Sequence, residues 1–207
     1  MRKRRVSKLP GCTTSLLVVS VRVAVQPVGR SGAKVLTRTG AIHTRIRQGN
    51  VITLDATSTL RVLSPPQALF PPGQGDTNEA NDLILRLETP GLRALFLGGA
   101  DAYALDALAG SGEPLAADVV EVALAPEQTL DLPGPLGDVL RLAHPRLIVV
   151  AEAPTPPGSL AARRASLVSS WITDGDAAKA LGALVYRVSE AGTISLSGGD
   201  DGWSLGG

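Results

Sequence analysis

Apolar residues alternate with polar ones at Leu83, Leu85 and Leu87, the two-residue period of a strand with one buried face. Thr89-Pro90-Gly91 interrupts the alternation as a turn. A second apolar run from Leu92 to Leu97 ends in Gly98-Gly99. The pattern predicts a β-hairpin whose second strand runs into a glycine corner. A helix follows from Asp101 to Ala109, with Tyr103, Leu105 and Leu108 at helical spacing. Asp101 stands as its N-cap and Gly110-Ser111-Gly112 as its stop.

The same reading extends along the chain. Ile42, Thr44 and Ile46 alternate, Gly49-Asn50 turns, and Val51 to Leu54 runs on as a strand. Leu60 to Leu63 is a short strand stopped by Ser64-Pro65-Pro66, and residues 65 to 80 read as a surface loop. Asp118 to Leu124 and Leu147 to Val150 are apolar runs of buried-strand type. Between them, Pro135 to Ala143 predicts a helix with Leu136, Val139, Leu140 and Ala143 on one face. Residues 153 to 159 form a Pro-rich loop and Asp176 to Ala183 a short helix. Leu184 to Val188 and Thr193 to Leu196 are expected to form a last hairpin around Glu190-Ala191-Gly192. No internal repeat is present.

Composition narrows the chemistry. At 207 residues with 44% hydrophobic content, the chain can bury one full core. Aromatics are only 3%, so that core must be built from aliphatic side chains. Cys12 is the single cysteine, which excludes an internal disulfide framework and a thiolate metal cluster within one chain. His43 and His144 are the only histidines. The net charge of +1 hides an asymmetry: no acidic residue occurs before Asp55, whereas 11 of the 20 basic residues do. The chain is therefore divided into a basic N-terminal leader or set of extra strands, 1–54, and a domain, 55–207.

The leader opens on Arg2, Lys3, Arg4, Arg5 and Lys8, followed by an apolar run from Leu16 to Val25 that Arg22 interrupts. This mimics a signal peptide, but Pro10-Gly11 comes early and no clean cleavage site follows. A lipoprotein box at Leu9 to Cys12 is rejected, because the apolar run lies after the cysteine. The run is too short and too charged for a membrane span. A transit peptide, a nucleic-acid-binding arm using the five basic residues, an unstructured leader or one strand of a sheet all remain open.

Several segments taken together resemble a known family. They are Leu60 to Pro66, Asn81 to Leu87, Leu95 to Gly98, Ala117 to Val122, Pro145 to Val150, and Val185 to Arg187 through Gly192-Thr193-Ile194. In this order they resemble the second half of a metallo-β-lactamase fold, and most closely the C-terminal hydrolase-like domain of the ComEC competence proteins, which act in DNA uptake. The resemblance covers roughly residues 55 to 205. It implies an α/β (α+β) protein, mainly the second half of a metallo-β-lactamase-like αββα sandwich. It also implies one or two metal ions, usually zinc, that activate a water for hydrolysis, and a membrane-associated or extracytoplasmic setting.

This chain departs from that pattern at the ligand positions. The resemblance places a bridging aspartate in a Gly-Asp pair where Gly98-Gly99 stands, and paired histidines where Leu124-Ala125 stands. The histidine cluster of the first half is absent. No metal site and no cofactor are therefore expected, and the reading is a non-catalytic protein with a degenerate site. Asn81, Asp82 and Asp101 are the candidate site residues that survive. Each also has a structural reading: Asn81 and Asp82 as acceptors for backbone donors, Asp101 as a helix cap. The carboxylate pairs Asp101 with Asp106, Asp174 with Asp176, and Asp200 with Asp201 read as caps or turns. His144 reads as a partner of a helix C-terminus. A half sandwich should expose an apolar sheet face. Extra strands from residues 16 to 54, a second copy of the chain or another partner would cover it. DNA is the other expected partner, through the basic leader. The competing reading is a metal-dependent phosphodiesterase or nuclease built around Asp82 and Asp101.

Overall fold

The computed structural model describes residues 46–73, 79–124, 130, 132–152, 175–188, 194–199 and 202–206. Arg2, Lys3, Arg4, Arg5, Lys8, Cys12, His43, the 153–159 loop, Asp174 and Asp200-Asp201 lie outside the described residues. Nine strands are described: β1 Val51–Thr53, β2 Thr59–Ser64, β3 Ile84–Thr89, β4 Leu92–Phe96, β5 Val119–Leu124, β6 Leu147–Glu152, β7 Leu184–Arg187, β8 Ser195–Gly199 and β9 Gly202–Gly206. The helices are α1 Ala102–Ala109, α2 Pro135–Ala143 and α3 175–181, with a short 3-10 turn at Glu79–Asn81.

Strands β1 to β7 form one sheet in sequential order. β1 to β4 are antiparallel neighbours, whereas β4 to β7 are parallel. The change follows from connection length. Pro90-Gly91 turns β3 directly into β4, with Gly91 at φ +80°. The later strands are joined through helices, and such crossovers are right-handed. Because β4 to β7 advance in one direction, right-handed crossovers put α1, α2 and α3 on the same face. Leu105, Leu108, Val139, Leu140 and Ala177 accordingly share a core with Leu95, Val120, Ile148 and Val150. This is a mixed α/β protein with its helices on one side of a seven-stranded sheet, compatible with the second half of an αββα sandwich.

The opposite face is apolar as well. Leu60, Val62, Leu85, Leu87, Leu92, Ala94, Val119 and Leu147 form a second buried cluster, with Ile46, Phe96, Leu196 and Trp203 packed against it. Leu196 and Trp203 come from β8 and β9, which pair with each other. A Cβ on Gly198 would meet the Leu92 Cβ at 3.0 Å, so the hairpin lies close against the β3–β4 turn. The Arg146 guanidinium sits 5.2 Å from the Trp203 ring centroid, a cation–π contact that fastens the hairpin to the start of β6.

Two expectations need correction. The last hairpin is not formed by Leu184–Val188 with Thr193–Leu196. β7 instead extends the main sheet parallel to β6, and the hairpin is β8 with β9 around Gly199 to Gly202. A strand that follows a helix returns beside its predecessor, and β8 finds its partner in β9, with Gly199 opposite Gly202. β3 is not half-buried: Ile84, Leu85, Arg86 and Leu87 are all buried, because both faces of the sheet are covered. The strand expected over Val51 to Leu54 is present as β1, an edge of the sheet paired with β2 through Val51 opposite Arg61 and Thr53 opposite Thr59.

α2 ends on His144, an exposed residue at φ 48° and ψ 51° whose amide donates to the Leu140 carbonyl at 3.1 Å. A left-handed conformation crowds the Cβ of any residue but glycine. His144→Gly is expected to raise stability by about 0.5–1 kcal/mol after the extra backbone freedom of glycine is allowed for, read as a higher urea midpoint.

Candidate functional site

The carboxyl ends of β4 and β5 and the entry to β3 meet at one end of the sheet, where strand ends leave backbone groups and loops free to build a site. Here β4 gives way to Leu97 and to Gly98 at φ +56°, then to Gly99, Ala100 and the start of α1. The turn is held by backbone bonds to β5. The Leu97 amide donates to the Glu121 carbonyl at 2.9 Å, and the Ala123 amide to the Gly98 carbonyl at 2.8 Å. Only a residue that tolerates positive φ takes the Gly98 position without strain.

The three candidate residues are all at this end, with separate tasks. Asn81 binds the backbone of the preceding loop from both sides: its Oδ1 accepts from the Phe70 amide at 2.9 Å and its Nδ2 donates to the Phe70 carbonyl at 3.2 Å. Phe70 in turn meets Tyr103 of α1 edge-to-face, with ring centroids 5.5 Å apart. Asn81 thus accepts from a backbone donor and ties a loop to the sheet end. Asp101 is the N-cap of α1, its Oδ1 accepting from the Ala104 amide at 3.0 Å. Asp82 approaches the corner itself, since a Cβ built on Gly99 would lie 3.4 Å from Asp82 Oδ2. Asp106 is exposed on α1 and Asp176 exposed on α3, so Asp101 and Asp106 do not converge.

Leu124 occupies the end of β5, where the resemblance expects a histidine, and it packs toward the helix-side core. His144 lies at the opposite end of the sheet, just before β6 begins. Asp118 is also at that opposite end. Its Oδ2 accepts from the Arg93 amide at 2.9 Å, and its carbonyl accepts from the Arg146 and Leu147 amides. Asp118 therefore ties together the starts of β4, β5 and β6. Among the described residues, no three His, Cys, Asp or Glu side chains converge as a metal-binding group. The donors present at the corner are carboxylates, one of them already engaged as a cap. Among the described residues they fall short of the three or four protein ligands that a zinc centre takes.

One acidic group at this end was not among the sequence candidates. Glu121 points from β5 to the face away from the helices, and its Oε2 accepts from the Gly98 amide at 3.3 Å. Burial raises its pKa above the ordinary glutamate value of 4.5, and the Gly98 hydrogen bond offsets part of that rise. The signal in the sequence was a lone charge inside the apolar run Val119 to Leu124.

Comparison with known protein families returns no match, and no curated protein matches the chain. Among solved structures, the chain is similar to a protein from Parabacteroides distasonis described as a "Putative metal-dependent hydrolase", at 15% identity and a TM-score of 0.40. The likeness covers 77% of this chain and 61% of that one, so this chain spans less than two thirds of the other's length. No helix among the described residues is long and apolar enough to cross a membrane.

Proposed function

We propose that this chain is a non-catalytic module of metallo-β-lactamase type, related to the hydrolase-like domain of the ComEC DNA-uptake proteins, that serves in binding or as a structural part. The observation that carries the reading is the strand-end corner. Glycines stand where the resemblance calls for a bridging carboxylate, and the nearest aspartate after them, Asp101, spends its side chain on the Ala104 amide. Leu124, turned to the core, supports the same reading.

The test is zinc and manganese content of the purified full-length protein by elemental analysis, on wild type and on Asp82→Ala and Asp101→Ala. The expected result is no stoichiometric metal in any of them. Asp101→Ala should lose about 1 kcal/mol of stability, the worth of an N-cap, with metal content unchanged. Near-stoichiometric metal in the wild type, lost in either variant, would overturn the reading in favour of a metal-dependent phosphodiesterase.

A further inference from the structure

Strand β1 stands at one end of the seven-strand order, so one of its edges has no neighbouring strand. Val51, Ile52 and Thr53 are all exposed, as is Leu54 beyond them. Bonds on either side of the pairing fix which backbone groups face β2. The Val62 amide donates to the Asn50 carbonyl at 2.9 Å, and the Leu54 amide to the Ser58 carbonyl at 2.9 Å. Such residues alternate in an antiparallel ladder, so Asn50, Ile52 and Leu54 bond toward β2. The amides and carbonyls of Val51 and Thr53 therefore point away from the sheet, and among the described residues nothing bonds them. Edge strands are commonly blunted by lysine or proline, and β1 carries neither. Ile52 also ends an apolar row that crosses the sheet through the register partners Leu60, Leu87, Ala94, Val119 and Leu147. Those five are buried, whereas Ile52 keeps 37% of its surface exposed.

We propose that β1 is a pairing edge for a second copy of this chain, joined antiparallel across a two-fold axis at Ile52. That register sets Val51 opposite Thr53 of the second copy, and Thr53 opposite its Val51. Each such pair exchanges both of its N–H···O bonds, so every outward donor meets an outward acceptor with none left over. An extended peptide of unrelated sequence would meet the same backbone groups, but two features favour the copy. Ile52 meets its own counterpart at the axis, so the apolar row runs on from one sheet into the next. Antiparallel pairing also brings the end of β1 that carries Arg47 beside the end that carries Asp55 in the second copy, a match of opposite charge repeated on both sides of the axis. The contact uses the same surface on both chains, so it closes at two. Two such backbone pairs and one pair of isoleucines make a small interface, which belongs with weak, transient associations. The inference needs only the open edge and stands apart from the non-catalytic reading.

The test is sedimentation equilibrium on the full-length protein from about 10 μM to about 1 mM, together with amide hydrogen exchange by NMR at low and high concentration. The expected result is a reversible monomer–dimer equilibrium. As the dimer fills, exchange at Val51 and Thr53 should slow several-fold more than at Leu54, which is bonded to Ser58 in both states. Thr53→Pro removes an outward amide and none of the bonds to β2, a place where an edge strand accepts proline. It should leave the protein monomeric throughout, as should Ile52→Lys, which sets two like charges at the axis. Thr53→Val keeps the amide and should dimerise like the wild type. A wild type that stays monomeric at the highest concentration overturns the proposal, as does assembly beyond two chains. A dimer in which Val51 and Thr53 exchange as fast as in the monomer places the contact elsewhere and overturns it too. Protection of both amides already in the monomer would mean that another segment of this chain caps the edge, which also refutes the pairing. These outcomes are read on the wild type, so they decide the matter even where a variant fails to fold.

Discussion

Gly137→Ala is expected to destabilise the protein by about 3 kcal/mol, although alanine is the better helix former by about 1 kcal/mol. Gly137 is a buried residue in the first turn of α2. A Cβ there would lie 1.8 Å from the Leu132 carbonyl oxygen and 2.7 Å from the Leu132 Cα. These are backbone atoms, so no rotamer change relieves the clash. The 132–134 bend must move away from the helix. Arg141 would then lose its bond to the Leu132 carbonyl, now 3.1 Å long. Gly175→Ala is the control. It lies at the start of α3 with nothing within 4 Å of its Cβ position, and the same substitution should leave stability unchanged or raise it by up to about 1 kcal/mol. The two urea midpoints should move in opposite directions or differ by the full clash cost. Equal shifts would mean that α2 is not held against residue 132.

Arg86→Ala is expected to cost about 3 kcal/mol and Arg86→Met about 1 kcal/mol. Arg86 is buried in the middle of the sheet on its helix side, with 6% of its surface exposed. Its guanidinium donates to the Pro114 carbonyl, which fastens the segment after α1, and it pairs with Glu88 at 2.8 Å. Its Nε is buried without a hydrogen-bond partner among the described residues. The pair itself adds little, because Glu88 is partly exposed and stays solvated when left alone. What alanine removes is the long stem, leaving a cavity between β3 and the 114 segment, together with the donor for Pro114. Methionine refills the volume and forfeits only the hydrogen bonds, so the difference between the two variants measures packing apart from charge. Thermal and urea unfolding of both check the order. A methionine variant as unstable as the alanine one would assign the effect to the charge.

Both positions show where reading the chain succeeds and where it stops. The helix over Pro135 to Ala143 was legible from Leu136, Val139, Leu140 and Ala143, because helical spacing is a local property. That Gly137 faces a backbone carbonyl was not, because the 132–134 bend is placed by the fold around it. Arg86 reads as a solvent-facing residue of an alternating strand. It is buried because the segment after α1 and the β8–β9 hairpin cover opposite faces of the sheet. The end of the chain departs from its sequence pattern for a similar reason. The apolar run at Leu184 had two partners within reach, and the helix before it, which returns the strand alongside β6, decided between them.

For the candidate site the division is just as plain. The sequence alone determined that this chain offers a metal no more than two histidines and one cysteine. It also determined the order of strand, hairpin, glycine corner and helix, since turns and caps are written in a few adjacent residues. Only the tertiary structure decided that Asn81 grips Phe70 across the loop, that Leu124 turns into the core, and that Glu121 rather than Asp101 reaches the Gly98 amide. The physical reason is the range of the interactions. Periodicity and capping act over four residues or fewer. The register of β4 against β5 joins residues more than twenty apart, and that register places a carboxylate on a glycine corner.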